Sequence, residues 1–395
     1  MRSMAARFCL PVAGALLCLV CSDLVEFGDG WSEIAYLESS MMDCELTSFN
    51  NGNDLVVDNS GRVHIVYRRR RKLSNGMGGW ELAYRRLSPV GEGMKPDKNV
   101  VVVADTVPNG NPCIATDGVD RVLLAWEGQQ QGSLHVFTLL SSDGGATWSG
   151  TRYYWSATVD GCVPAADFDS RGRLHLTWGV PGNITGRSTR YLRTDASVSS
   201  CEKETLIHYV SYGHGQGQSS IVVDDSDCVH IGWPYMRISW DYRIDYARSA
   251  NCGDSWTSVP IIDGTGECSD PAAAIEVDGQ GRVFVFWNGI RLRRSIDRGV
   301  SWDSVTGLTQ GGSATVAVGP QGNLHVVAEK DGAIWYVMSA DHGTSWSEPY
   351  RLSKQTVSTV KSPDVAVGPD GLIHVVWQQY DDDNGVNRLC YRVGR

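Results

Sequence analysis

The chain has 395 residues, of which 42% are hydrophobic and 20% charged, and its formal net charge at pH 7 is −10. This length and apolarity allow a large buried core and exclude intrinsic disorder, and the acidic balance disfavours binding to nucleic acid or to an anionic membrane surface. Tryptophan is abundant at 14 residues, which suits an all-β repeat protein in which each unit needs an anchor.

Residues 1–22 have the pattern of a secretory signal peptide. Two arginines precede an apolar run over residues 8–20, and small residues suit cleavage before Asp23. The apolar run is too short to span a bilayer. We therefore expect a secreted or periplasmic protein without a membrane span, whose residues 23–395 form a single domain with a net charge of −12.

The mature chain keeps eight cysteines, an even number that permits disulfides in an exported protein. Their spacings match no zinc pattern, so we expect neither a metal nor another cofactor. Cys228 and Cys252 fall on two turns on the same face of one repeat unit. The sequence therefore predicts a disulfide between these two residues.

A turn followed by an alternating apolar strand recurs seven times. Each copy begins at Gly or Asp, and most end in an aromatic residue. The copies span residues 61–67, 120–126, 172–178, 227–233, 281–287, 322–328 and 371–377. Alternation with period two at this repeat length is typical of units of four short antiparallel strands, as in a propeller blade. The sequence therefore predicts an all-β chain of seven such units.

A second phrase follows four of these strands, in Ser141–Trp148, Ser249–Trp256, Ser295–Trp302 and Ser339–Trp346. Its Ser, Asp or Asn side chains can hydrogen-bond the backbone of a tight turn, and its Gly can adopt a positive φ. The final Trp is large enough to hold that turn against neighbouring strands. The phrase predicts a hairpin between the third and fourth strands of a unit.

The seventh unit ends at Arg395 after only three strands. Gly30–Leu37 resembles the end of the second phrase as it stands in Ser345–Leu352. A strand over about residues 31–38 that completes the last unit would close the ring and remove exposed edges.

The second phrase is the Asp box, or BNR repeat, and the chain resembles the Asp-box β-propellers, of which sialidases are the best-known members. The resemblance covers most of the chain and implies a seven-bladed β-propeller of four-stranded antiparallel blades. The chain lacks the Arg-Ile-Pro phrase of true sialidases and has seven repeats where those enzymes have six. The resemblance therefore implies a fold, and no catalytic residue is carried over from that family.

The repeat also separates packing residues from candidates for chemistry. A histidine recurs at one position of the second strand in five units, and a residue that repeats in this way is expected to be structural, with its ring nitrogens hydrogen-bonded. These histidines are His64, His175, His230, His325 and His374.

In an antiparallel blade, the turn between strands one and two lies on the same face as the Asp box. The opposite face carries the remaining loops, and the resemblance implies that ligands bind there near the axis. On that face we expect catalytic roles for Tyr235, His214, Glu267 and Asp270. The predicted substrate-binding residues are Arg237, Arg291, Trp240, Asp241, Arg68 and Gln216.

Three functions fit these residues; the partner is a glycan in the first two and a glycan or a protein in the third. The first is a sialidase-like glycoside hydrolase on an acidic extracellular glycan, with carboxylates as acid and base and Tyr235 as nucleophile. The second is a polysaccharide lyase on a uronate polymer, in which Arg237 neutralises the uronate and His214 or Tyr235 moves the proton. The third is a non-catalytic propeller that binds a glycan or a protein.

Overall fold

The computed structural model describes residues 30–38, 42–46, 54–74, 76–77, 79–89, 101–103, 110–130, 133–150, 152–154, 162–180, 187–210, 219–236, 242–262, 273–287, 289–310, 314–354 and 359–395. None of these residues is helical, so none belongs to a helix able to cross a bilayer.

The strands of the described residues, in chain order, are β1 (Ala35–Tyr36), β2 (Met42–Glu45), β3 (Leu55–Val57), β4 (Val63–Leu73), β5 (Gly76–Met77), β6 (Glu81–Leu87), β7 (Val101–Val103), β8 (Cys113–Thr116), β9 (Val122–Gln130), β10 (Ser133–Ser141), β11 (Arg152–Tyr154), β12 (Cys162–Phe168), β13 (Leu174–Val180), β14 (Arg187–Thr194), β15 (Cys201–Val210), β16 (Ser220–Val223), β17 (Val229–Met236), β18 (Tyr242–Ser249), β19 (Thr257–Ile262), β20 (Ala273–Val277), β21 (Val283–Trp287), β22 (Gly289–Ser295), β23 (Thr306–Gln310), β24 (Ala314–Val318), β25 (Leu324–Lys330), β26 (Ala333–Ser339), β27 (Tyr350–Arg351), β28 (Val360–Val367), β29 (Ile373–Asp381) and β30 (Val386–Gly394).

The strands form seven antiparallel sheets, which are the blades of a β-propeller. Strands β8 to β11, β12 to β15, β16 to β19, β20 to β23 and β24 to β27 make blades two to six in sequence order. The first strand of each blade contacts the first strands of both neighbours, in a cycle that returns from β28 to β3. The predicted all-β, seven-bladed ring is confirmed.

The N-terminal segment completes blade seven as predicted. Strand β1 pairs with β30, with Ala35 opposite Tyr391 and Tyr36 opposite Cys390. Before it, Trp31 forms a bridge with Gly394. Trp31 is 6% exposed, and its ring meets that of Tyr336 in blade six edge-on at 5.0 Å. The two ends of the chain therefore meet in one blade and close the ring.

Blade one differs from the other blades because it holds six strands, two more than each of the others. Strand β3 pairs with the start of β4, and β2 pairs with the end of the same strand, from Arg68 to Arg71. Strand β2 therefore continues the innermost strand position toward the face opposite the Asp boxes. This extension forms a wall on one side of the propeller axis.

Each repeated histidine lies within the wedge between two blades and bonds a tyrosine of the next strand. Nδ1 of His64 lies 2.7 Å from the Tyr84 hydroxyl, and Nε2 lies 3.1 Å from Asp58. His175 repeats both contacts with Tyr191 and Asp169. The other three histidines make the tyrosine contact: His230 with Tyr246, His325 with Tyr336 and His374 with Tyr391. These contacts assign the repeated histidines to packing, as predicted, but Nε2 of His230 and of His374 is buried without the expected hydrogen bond.

Two of these tyrosines leave room only for glycine at one position of the Asp box in the following blade. A Cβ on Gly145 would lie 1.9 Å from the Tyr84 hydroxyl, and one on Gly253 would lie 1.9 Å from that of Tyr191. Trp148 and Trp256 of these boxes meet the same two tyrosine rings edge-on. The box therefore joins adjacent blades as well as turning the chain.

Replacing Trp31 tests whether the ring is stabilised at its seam, which is the pairing of the N-terminal segment with β30 of blade seven. We expect Trp31→Ala to lower the free energy of unfolding by about 3 to 5 kcal/mol, because it removes a buried indole and leaves a cavity between blades six and seven. Chemical denaturation followed by fluorescence measures this change. Trp335→Ala, at a half-buried position away from the seam, serves as the control. Equal stability of the two variants would contradict the role given to Trp31.

Candidate functional site

The face opposite the Asp boxes carries a repeat position whose chemistry varies from blade to blade. This position directly follows the residue that ends the alternating apolar part of each second strand. In the described blades it holds Arg68, Glu127, Gly179, Pro234, Glu329 and Gln378. In each blade this position lies on the strand next to the innermost one, so together these residues surround the end of the axial channel. We call this ring of residues the mouth.

Glu127 is the most perturbed acid of the mouth. It is 9% exposed, and one carboxyl oxygen accepts a hydrogen bond from the Val163 amide at 3.3 Å. Burial raises its pKa to about 7, although the Val163 amide and the Arg68 guanidinium partly offset the rise. Gly110 makes room for it, since a Cβ there would lie 2.2 Å from the Glu127 Cβ. Glu127 therefore holds a proton close to neutral pH and can act as a general acid.

The backbone beside Glu127 is strained. Val163 has a φ of +52°, an unusual conformation for a β-branched residue, and it precedes Pro164 at an irregularity in the pairing of β12 with β13. Blade seven repeats this feature at Ser362, whose φ is +51° and which precedes Pro363. Bulges of this kind often redirect side chains near a functional site. Both bulges open onto the mouth.

Glu329 occupies the mouth position beside the second bulge. It lies near Lys361, the residue before Ser362, as Glu127 lies near Val163. Burial raises the pKa of Glu329, and the Lys361 ammonium offsets part of that rise. The two blade boundaries thus carry related acidic groups.

The wall of blade one supplies the positive charge of the mouth. Arg68 lies 3.2 Å from Glu45 of strand β2, and its guanidinium lies 4.7 Å from the centre of the Trp80 ring. Arg70 lies 2.8 Å from Asp43 and stacks on Trp80 in the same way. Guanidinium groups that are stacked and ion-paired hold a fixed direction, which suits recognition of a carboxylate. The structure places the predicted Arg68 in such a position.

Below the mouth, the first strands line an axial cavity of about 220 Å³. Asp167 and Glu276 face it, and burial raises their pKa values to about 7 and about 8. Asp364 lies near enough to contribute to the rise at Glu276, and it accepts hydrogen bonds from the amides of Asp54 and Leu55 at 2.8 and 2.9 Å. Asp167, which accepts a hydrogen bond from the Val223 amide at 2.7 Å, and Asp364 thus each join neighbouring innermost strands, so they stabilise the ring.

Tyr235 lies in a separate cluster between blades three and four. It is 9% exposed, and its ring centre lies 4.8 Å from that of His208. The Trp233 indole donates a hydrogen bond to Nδ1 of His208 at 3.1 Å, which leaves the proton of the neutral imidazole on Nε2. Asp245 lies 3.6 Å from the same Nδ1, and burial lowers the pKa of His208. The cluster is thus an aromatic pair with a neutral histidine.

The remaining predicted residues divide into three groups. Arg291 lies on β22, half-buried and opposite Trp287. Cys228 and Cys252 are free thiols, so the predicted disulfide is not formed in the structure. The backbone carbonyl of Cys252 accepts a hydrogen bond from Arg193 of blade three at 2.6 Å, whereas Cys228 lies near Tyr246 within blade four. The predicted residues outside the described ranges are His214, Gln216, Arg237, Trp240, Asp241, Glu267 and Asp270.

Sequence reasoning did not rank Glu127, Glu329 or His208 among the site residues. Glu127 and Glu329 are departures from the repeat at one position, so an alignment of the seven second strands that continued one residue further would have found them. His208 stands outside the repeat, but its contact with Tyr235 depends on the packing of blade three against blade four. Among the described residues, no three His, Cys, Asp or Glu side chains are arranged to hold a metal ion.

Comparisons with known proteins agree with this architecture. A model of the BNR repeat-like domain matches residues 97–375. The fold is similar to that of the polysaccharide lyase Uly1, with a TM-score of 0.54, 10% identity and coverage of 87% of this chain and 90% of the other. It is also similar to the NanB sialidase from Streptococcus pneumoniae, with a TM-score of 0.51, 10% identity and coverage of 93% of both chains.

The fold is similar, too, to that of a protein of unknown function from Dyadobacter fermentans, with a TM-score of 0.52 and 12% identity. The match covers 91% of this chain and 98% of the other. No curated protein matches the sequence. Since all three solved structures share little identity with this chain, they support the fold alone.

The channel acids predict how stability changes with pH. Their pKa values in the folded chain are raised to about 7 or 8. Their contribution to stability is therefore complete below about pH 4 and is lost as the pH rises through 7 to 8. We expect Glu276→Gln to gain stability relative to the wild type between pH 5 and 9, by at most about 1.4 kcal/mol per pH unit.

Denaturation midpoints measured across this range test the expectation. The buried histidines have lowered pKa values and destabilise the fold as the pH falls, but they are common to both proteins and cancel in the difference. Asp331→Asn removes an exposed carboxyl and should track the wild type. A constant difference between Glu276→Gln and the wild type would show that Glu276 titrates normally.

The pKa of Glu127 should depend on Arg68. We expect Arg68→Gln to raise this pKa above about 7, because the guanidinium favours the charged carboxylate. A carboxyl ¹³C NMR titration measures the change. Arg70→Gln removes a similar stacked arginine that pairs with Asp43, so it should leave Glu127 unchanged. An identical titration curve in Arg68→Gln and the wild type would refute the coupling.

Proposed function

Since this chain belongs to the BNR repeat-like domain family, we propose that it is a carbohydrate-directed enzyme that hydrolyses an acidic extracellular glycan in the manner of a sialidase-like glycoside hydrolase. One observation carries the proposal: Glu127, an acid whose pKa is raised to about 7, lies beside Arg68 at the mouth of the channel. An acid that is protonated near neutral pH and a cation for a sugar carboxylate are two requirements of this reaction.

In the proposed reaction, Glu127 donates its proton to the glycosidic oxygen as the bond to the anomeric carbon breaks. The resulting carboxylate is stabilised by the Val163 amide and by Arg68. Water supplies the hydroxyl of the new reducing end, and its proton passes to a base. Asp270 and Glu267 remain the proposed bases, and His214 and Tyr235 the proposed partners in proton transfer or nucleophilic attack.

Three arginines and several loop residues are proposed to recognise the substrate. Arg68 is proposed to bind the sugar carboxylate, since it is stacked on Trp80 and held by Glu45. The other residues proposed to contact the glycan are Arg237, Arg291, Trp240, Asp241 and Gln216. The proposal retains secretion or export to the periplasm, with cleavage of residues 1–22 as a signal peptide.

A second function is polysaccharide lysis, which the contact between His208 and Tyr235 favours. In a β-elimination, a base removes the proton at C5 of a uronate and an acid protonates the leaving oxygen, so that the product has a double bond. A neutral imidazole 4.8 Å from a tyrosine ring, centre to centre, matches this pair of roles. One of the similar folds is that of a polysaccharide lyase. The burial of Tyr235 weighs against this alternative and equally against Tyr235 as a nucleophile in hydrolysis, because in both reactions a sugar must reach its hydroxyl.

Incubation with sialosides, neutral glycans and uronate polymers tests the assignment. We expect new reducing ends without ultraviolet absorbance from an unsaturated sugar. Glu127→Gln should lower kcat/KM by about 10²- to 10⁴-fold, the usual contribution of general acid catalysis. The wild-type activity should fall as the pH rises through about 7, as Glu127 loses its proton.

His64→Ala is a control for indirect effects, because His64 lies between two blades, away from the mouth. This substitution should lower the stability of the protein without changing the pH profile of its activity. Suppose instead that the product is unsaturated, and that activity is lost in His208→Ala and Tyr235→Phe but kept in Glu127→Gln. The protein would then be assigned as a polysaccharide lyase and not as a hydrolase. Retention of a glycan without turnover would make the protein a binding propeller.

A further inference from the structure

Two similar acidic units lie on nearly opposite sides of the mouth. Glu127 lies over the start of blade three, and Glu329 lies over the start of blade seven. Four blades separate these boundaries in one direction around the ring and three in the other. Each unit combines a strand-end carboxyl with an irregular start of the next innermost strand, and the irregularity includes a positive φ before proline.

The repeat does not explain the second unit. The equivalent position holds glycine in blade three and proline in blade four, so packing of the blade does not require an acid there. Glu329 is also half-exposed, unlike the buried histidine and tyrosine pairs. Lys361 accompanies it on the neighbouring strand and lowers the cost of its ionisation. A carboxyl and an ammonium group are thus presented together to solvent at the mouth.

We propose that Glu329 and Lys361 form a second sugar subsite across the mouth from Glu127, so that the substrate is an oligosaccharide segment that spans the mouth. This inference rests on the proposed function, because it takes the bond cleaved at Glu127 as its reference point. Glu329 accepts hydrogen bonds from sugar hydroxyls, and Lys361 donates to a hydroxyl or to the carboxylate of an acidic sugar. Because Glu127 and Glu329 lie at boundaries three blades apart in one direction and four in the other, the proposal assigns them to different sugars of the segment.

The subsite predicts a dependence on substrate length. With oligosialic acids of increasing length, Glu329→Gln and Lys361→Ala should each raise KM for the longer chains about tenfold, the loss expected for one charge-assisted hydrogen bond. The kcat values should stay near the wild-type values. Both variants should leave kcat and KM for an aryl sialoside unchanged, because this substrate occupies only the site beside Glu127.

Three further measurements separate this inference from the proposed function. Lys330→Ala removes an equal charge from the adjacent residue of the same hairpin and should behave as the wild type. Calorimetry with the Glu127→Gln variant measures oligosaccharide binding without turnover, so a loss of affinity on adding Glu329→Gln supports the subsite even if no glycan is hydrolysed. Lys361→Arg should restore much of the affinity lost in Lys361→Ala, since it restores the charge.

Two outcomes would overturn the second subsite. One is an equal change in KM for the aryl sialoside and the longest chain, because the variants would then act on the site beside Glu127. The other is hydrolysis of the aryl sialoside with no effect of either variant on any chain. In both cases the proposed hydrolysis would stand, and the span across the mouth would not.

Discussion

The contact between each blade and the next is the interaction on which the structure depends. A single four-stranded sheet has two apolar faces and cannot bury both alone, so each blade is stable only between two neighbours. Tyr84, Tyr191 and Tyr246 show how this is done, since each bonds a histidine of its own blade while its ring packs against the Asp-box Trp and Gly of the next. Blade five has Phe284 and Leu292 at the positions of this pair, and Gly343 of the next box then faces Leu292. The boundary keeps its shape because both members of the pair change together.

The closed ring fixes what the mouth can contain. Because the two ends of the chain meet in blade seven, the strand-end positions of all seven blades face one axis, and residues far apart in sequence become neighbours. Arg68 and Glu127 approach each other across one boundary, and Glu329 and Lys361 across another. The burial that raises the pKa of Glu127 comes from this convergence, since the glutamate lies under Gly110 and against Val163. A carboxyl on an isolated hairpin would be solvated and would titrate as an ordinary glutamate.

Acids in this propeller have three different environments. Those of the Asp boxes are exposed and accept several hydrogen bonds, which lowers the pKa of Asp143 to about 2. Asp167 and Asp364 lie in the channel and bond amides of the next innermost strand, so their raised pKa values accompany a structural role. Glu127 also accepts an amide hydrogen bond, but it lies at the mouth, where a ligand can approach. A raised pKa alone therefore does not identify a catalytic acid, and the position on the ring decides between structure and chemistry.

The sequence by itself determined the all-β class, the seven blades, the Asp boxes, the structural histidines and the strand from residue 31 that completes the ring. These features follow from local turn chemistry and from periodicity, both of which are visible along the chain. Tertiary structure alone decided which loop residues meet. Neither the approach of Arg68 to Glu127 nor that of His208 to Tyr235 leaves a pattern in sequence, because each joins strands of different blades. The predicted pairing of Cys228 with Cys252 is not formed in the structure: the two turns share a face of one blade, but the Cys252 carbonyl accepts a hydrogen bond from Arg193 of the preceding blade.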